Sequence, residues 1–149
     1  MNRSRNIYLI IIKIASVLFI VLFVYSATSK LLDFEQFKIQ LGQSPIITAY
    51  ADWVAWGIPL IEYVITGLFL VPRSISLAFY ASFSLMTMFT TYILLILNFS
   101  DYIPCSCGGV LEDLGWAEHI VFNVGFIIIA AIALSYLERN STTLKATIL

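Results

Sequence analysis

Four long apolar runs joined by short polar connections constrain this chain more than any other feature. They extend from Ile7 to Ala27, Trp53 to Val71, Ile75 to Leu97 and Ile120 to Leu137. Lys13 alone interrupts the first and Glu62 alone the second, while the last two carry no charge. About 20 apolar residues in a helix match the thickness of a bilayer, and a helix satisfies its own backbone there. The runs therefore predict an all-α fold, a four-transmembrane-helix bundle forming one integral-membrane domain over residues 1–149. The composition agrees: 60% of residues are apolar and 11% charged, against about 25% charged in soluble domains. A mean hydropathy of +0.94 also excludes a disordered chain. A net charge of -1 without a basic cluster excludes a nucleic-acid binder.

Arg3 and Arg5 before the first run, and Ser26-Ala27-Thr28 after it, are also compatible with a secretory signal. The run is too long for that, since a signal's apolar region is about 7 to 15 residues, so it is read as a retained helix. With the N-terminus in the cytoplasm, Arg3, Arg5, Arg73, Arg139 and Lys145 lie inside and only Lys30 and Lys38 outside. The positive-inside rule then puts both termini in the cytoplasm. Tyr25, Tyr50, Trp53, Trp56, Tyr102 and Trp116 form an outer aromatic belt, with Tyr8 and Tyr136 near the inner face. Lys13 can snorkel to that inner face.

Between the first two runs, Leu32, Phe34, Phe37 and Leu41 supply apolar anchors for a short amphipathic helix on the outer membrane surface. Asp33 with Gln36 reads as a capping pair at its start. Ser44-Pro45 reads as the cap leading toward the second span. The short connection Pro72-Arg73-Ser74 makes the second and third spans antiparallel neighbours.

Both cysteines lie in the connection between spans three and four, as Pro104-Cys105-Ser106-Cys107-Gly108-Gly109. By the topology above they face an oxidising compartment. A Cys-x-Cys bridge is a weak staple, worth roughly 1.6 kcal/mol before strain in the chain-entropy model. Strained, exposed disulfides are the labile ones, so the spacing leans toward thiol-disulfide exchange by Cys105 and Cys107. A structural disulfide or two free thiols are the plainer alternatives. Two cysteines and one histidine leave a four-coordinate metal site a ligand short, so no metal is expected.

Glu62 lies about 13 Å into its span at the helical rise. A carboxyl group at that depth faces the bundle interior and needs a partner, and it marks a candidate functional site. The alternative is a protonated Glu62 acting as structural glue by hydrogen bonding to a Ser or Thr of span three such as Ser82, Ser84 or Thr87. Pro59, one turn earlier, frees a backbone carbonyl on the same helix. Lys30, at the outer end of span one, is placed to pair with an acid or attract an anionic ligand. His119 and Asn123, at i and i+4, share one face at the outer end of span four. There His119 can stabilise a cysteine thiolate or relay a proton, or simply bond to loop carbonyls.

The segments Ser26-Ala27-Thr28-Ser29-Lys30-Leu31-Leu32-Asp33-Phe34, Pro59-Leu60-Ile61-Glu62 and Cys105-Ser106-Cys107-Gly108-Gly109, followed by Trp116 and His119-Ile120-Val121-Phe122-Asn123, resemble the MauE branch of the DoxX-like membrane proteins. The resemblance covers nearly the whole chain. It departs from the pattern at Ala27, where glycine is usual, and in Cys-Ser-Cys-Gly-Gly, where Cys-Gly-Cys-Phe-Gly is commoner. It implies a four-helix membrane protein with a Cys-x-Cys loop. MauE is associated with disulfide formation during methylamine dehydrogenase maturation, and DoxX relatives with sulfur or quinone chemistry. The expectation is a bacterial inner-membrane protein whose periplasmic Cys105 and Cys107 exchange with a thioredoxin-like or client protein. By analogy with membrane disulfide oxidants and vitamin K epoxide reductase, a quinone between the helices takes the electrons, beside Glu62. Two competing expectations are a non-enzymatic assembly subunit and a quinone or lipid carrier built around Glu62 and Lys30.

Overall fold

The computed structural model describes residues 2–44, 47–99 and 115–148, with side chains described between 8 and 139. Five α-helices make up the chain there: α1 (Asn2–Leu32), α2 (Phe34–Gly42), α3 (Ala51–Leu70), α4 (Ile75–Phe99) and α5 (Trp116–Ile148). Short 3₁₀ turns at Thr48–Tyr50 and Pro72–Ser74 lead into α3 and α4. No strand occurs among the described residues. Four segments are long and apolar enough to cross a membrane: Tyr8–Leu32, Thr48–Leu70, Pro72–Phe99 and Trp116–Arg139.

The four long helices close into a ring. α1 packs on α3 and α5, and α4 packs on α3 and α5, so α1 and α4 stand diagonally opposite. Because lipid is as apolar as leucine, these helices gain little by merely hiding hydrophobic surface, and close contact between side chains holds them together. Phe19 of α1 stands at the centre of that contact. Its ring lies 5.8 Å from Phe69, 5.9 Å from Phe79 and 5.1 Å from Phe126, so it touches all three other helices. Ala15, Ala78, Ala130 and Ala133 are buried around it and let the backbones approach. Leu60, Val64, Leu77, Met88 and Val121 are exposed on the outside of the ring, where lipid tails would meet them. Tyr8 and Tyr136 meet at 5.0 Å near the end that holds the chain termini.

At the other end α2 lies against α3. Its buried Phe37 and Leu41 pack on Ala55, with Phe34, Ala51 and Val54 around them, and Phe34 meets Trp56 at 4.6 Å. Lys38 and Asp52 form an exposed ion pair at 2.6 Å. α4 ends at Phe99 and α5 begins at Trp116.

Two local expectations are corrected. Asp33 precedes α2 but makes no side-chain capping bond; its backbone carbonyl instead accepts from the Phe37 N–H at 2.9 Å, continuing the helical pattern across the junction with α1. Ser44 does not cap the second span: its Oγ is buried without a partner among the described residues, and Tyr50 stands at the N-cap of α3. The chain turns again before α3, with the Ser44 carbonyl accepting from the N–H groups of Ile47 and Thr48. Pro45, also expected at this cap, lies outside the described residues.

Candidate functional site

Along α1, Phe19, Phe23, Ser26 and Lys30 recur at helical spacing and form one inward stripe. The stripe is aromatic toward the terminal end and polar toward the α2 end. On α3 the inward stripe runs through Ala55, Pro59, Glu62, Thr66 and Phe69, all of them buried. Where the two polar stretches meet, Lys30 Nζ donates to Glu62 Oε1 at 2.9 Å. Ser26 Oγ donates to the same oxygen at 3.0 Å and accepts from Lys30 Nζ. The ammonium also reaches the Ser26 carbonyl at 3.3 Å. The Glu62 side chain is fully buried and that of Lys30 is 13% exposed. A charge buried this deeply persists only with a close opposite charge and additional hydrogen bonds, and the cluster supplies both. Beside it, the hydroxyls of Thr28 and Tyr63 bond at 2.8 Å, a second polar tie between α1 and α3.

Two aromatic rings enclose the cation. Phe37 of α2 lies 6.0 Å and Phe89 of α4 5.9 Å from Lys30 Nζ, within the range where a ring face attracts a cation. Lys30 thus reaches across the ring diagonal to α4 and sits under α2. One group is left over. Glu62 Oε2 is buried and has no hydrogen-bond partner among the described residues, an arrangement that costs free energy unless a donor fills it.

The glue expected between Glu62 and Ser82, Ser84 or Thr87 is not made. Ser82 Oγ donates to the Ala78 carbonyl at 2.8 Å and Thr87 Oγ1 to the Phe83 carbonyl at 2.7 Å, so each hydroxyl is satisfied within its own helix, and Ser84 is exposed. Glu62 instead finds its partners on α1. Lys30, expected to pair with an acid, and Glu62, grouped with it in the carrier expectation, come together; Ser26 was missed as their common partner, although its i,i+4 spacing to Lys30 was a visible signal. His119 and Asn123 stand on α5, outside the hydrogen bonds of this cluster. The His119 backbone N–H donates to the Gly115 carbonyl at 3.1 Å, and its ring lies 6.4 Å from that of Trp116. Asn123, one turn further, is 6% exposed. Cys105 and Cys107 lie outside the described residues. Among those residues, no group of three or more His, Cys, Asp or Glu is placed to hold a metal ion.

The model of one family, methylamine utilisation protein MauE, matches residues 8–136, from the first turns of α1 to the apolar end of α5. The chain belongs to the MauE family. No curated protein matches it, and no solved structure does. The MauE match takes in both halves of the buried ion pair, the Cys-Ser-Cys segment and the His119–Asn123 face together. With four helices able to span a bilayer, the chain is a multi-pass membrane protein of the MauE family.

Proposed function

We propose that this protein is a thiol-disulfide redox protein of the bacterial inner membrane, with Cys105 and Cys107 as its exchanging pair. The observation that carries the proposal is Cys105-Ser106-Cys107 in a MauE-family chain, the only two cysteines it has. A bond closing so small a ring has little structural use and belongs with the labile, exchange-competent disulfides. In this reading both termini are cytoplasmic, as the arginines at 3, 5, 73 and 139 favour, and the cysteines work in the periplasm.

The exchange balances simply. A thiolate of a thioredoxin-like or client protein attacks one sulfur of the Cys105–Cys107 bond and forms a mixed disulfide. The client's second thiol resolves it, so the client gains a disulfide while the pair takes up two electrons and two protons. Reoxidation passes the same electrons and protons to a membrane acceptor of the quinone class, which leaves as the quinol. His119, one helical turn past Gly115, is the nearest described imidazole in sequence to steady a liberated thiolate.

Capture of partners as mixed disulfides in native membranes tests the reading. Cys105→Ser and Cys107→Ser together should abolish capture while the bundle keeps its thermal stability. Capture that persists in the double variant would refute the assignment, and retained partner binding without any capture would favour an assembly subunit.

A further inference from the structure

We infer that the outward face of α4 is the surface through which two copies of this chain associate in the membrane. The inference goes beyond the redox reading and does not depend on it. α4 turns Phe79, Met86, Ile93 and Ile96 into the bundle, and its opposite side is left to the bilayer. Helical periodicity gives every outer helix such a face, so the composition of the face is what distinguishes one helix from another. The other three helices expose aliphatic side chains along their spans: Val17 and Val21 on α1, Leu60 and Val64 on α3, Ile128 and Ile132 on α5. The exposed Tyr63 of α3 is already tied to Thr28 of α1. α4 instead exposes Tyr80, Ser84, Thr87, Thr91, Leu94 and Asn98. These alternate at steps of four and three residues, the d and a positions of a coiled coil. The stripe runs most of the length of α4, so what covers it is another membrane-spanning helix.

The hydrogen-bonding capacity left on that stripe identifies the second helix as another α4. Acyl chains offer no hydrogen bonds, whereas a neighbouring helix with hydroxyl and amide groups does. Thr87 Oγ1 donates to the Phe83 carbonyl at 2.7 Å and Thr91 Oγ1 to the Thr87 carbonyl at 2.8 Å. Each has spent its single proton within the helix and keeps lone pairs that can accept. Ser84 Oγ makes no such bond among the described residues and keeps its proton. Asn98 gives one Nδ2 hydrogen to the Leu94 carbonyl at 2.7 Å, which leaves its second hydrogen and Oδ1 for a partner. Tyr80, whose hydroxyl already bonds to Glu138, adds ring contact. The face thus carries unused donors and unused acceptors together and no charge, which makes it complementary to itself. Two copies inserted in the same orientation bring their α4 helices together in parallel about a two-fold axis. The Ser84 proton then meets Thr87 of the second copy, and the two Asn98 amides can exchange N–H···O bonds. A polar a-position residue of this kind sets the register between identical helices.

Cross-linking of the full chain in native membranes tests the inference. The background is Cys105→Ser with Cys107→Ser, so that only introduced thiols react. Ser84→Cys and Thr91→Cys, each oxidised with copper phenanthroline, should give a disulfide-linked dimer of this chain. Val17→Cys on α1 and Ile128→Cys on α5 should stay monomeric under the same oxidation. The second measurement is energy transfer between copies labelled at the C-terminus and diluted stepwise in lipid vesicles. Replacing Ser84, Thr87 and Thr91 together by leucine leaves the buried face of α4 intact and should weaken association about tenfold, the worth of two or so interhelical hydrogen bonds. A chain that is monomeric at every dilution would overturn the inference. So would cross-links as strong at Val17 and Ile128 as at Ser84 and Thr91, or a cross-linked product only of another mass, which would mark a different spanning partner. Unchanged association in the triple leucine variant would overturn it too.

Discussion

The two halves of the bundle use the same helix faces for opposite purposes. Toward the chain termini, Phe19, Phe23, Phe69, Phe79 and Phe126 fill the axis with rings 4.9–5.9 Å from their neighbours. Toward α2, the next turns of the same stripes on α1 and α3 carry Ser26, Lys30 and Glu62. Among the described residues, the aromatic half leaves no buried side-chain polar atom without a partner. The polar half contains a buried charge pair and a carboxylate oxygen without a partner among the described residues. In a bilayer, polar groups of this kind are expensive to keep and mark function by default. The contrast therefore separates a half filled by ring contacts from a half built on a buried charge pair.

The sharpest way to break that contrast is to remove one charge. Lys30→Met strands Glu62 in the interior and should cost about 3–5 kcal/mol, read as a lowered unfolding midpoint in detergent titration. Adding Glu62→Leu should recover most of the loss, because the uncompensated charge is then gone. If the double variant is as unstable as the single one, the pair is packing and not electrostatics. Phe19→Ala attacks the other half and should cost about 3 kcal/mol through lost contacts and a cavity at the axis, in the same assay. Combined with Lys30→Met, the two losses should add, and a departure from additivity would mean that the halves are not independent.

The smallest effect concerns α2. The hydrogen bond and charge of Asp52 hold the Lys38 ammonium above its ordinary value of 10.5. With the folded-state value raised, this contribution is fully present below pH 10.5 and fades as the pH rises through the folded-state value. The pair is exposed and weak. Asp52→Asn should therefore slightly speed amide exchange in α2 at pH 7, and the difference from the parent should shrink at high salt. Equal exchange at low salt would show that the apolar contacts of Phe37 and Leu41 alone hold the helix.

How much of this was legible beforehand follows from the range of each interaction. The four spans are properties of contiguous residues, so hydropathy and length were enough to read them. Glu62 stood out because a carboxyl group inside an apolar run has few explanations. Its partner was legible only in part: Lys30 was expected to meet an acid and was grouped with Glu62 in the carrier expectation, but the hydrogen bonds of Glu62 were expected on span three. The hydroxyls of Ser82 and Thr87 were near in the expected order of helices, yet each donates to a carbonyl four residues back. Lys30 is distant in sequence and meets Glu62 only because α1 packs beside α3. The unused Oε2 depends on the donors of two helices together, and no single segment reveals it. Asp33 shows the reverse failure: a local capping pattern was present, but α1 runs almost directly into α2 and leaves little for a cap to do.

The central claim is that Cys105 and Cys107 form a working redox pair, and their midpoint potential tests it most directly. Thiol alkylation and gel shift, applied to native membranes across a series of glutathione ratios, give that value. The account predicts a reversible couple well above about -300 mV, as exchange-competent disulfides have. A bond that resists reduction across the whole series would contradict it.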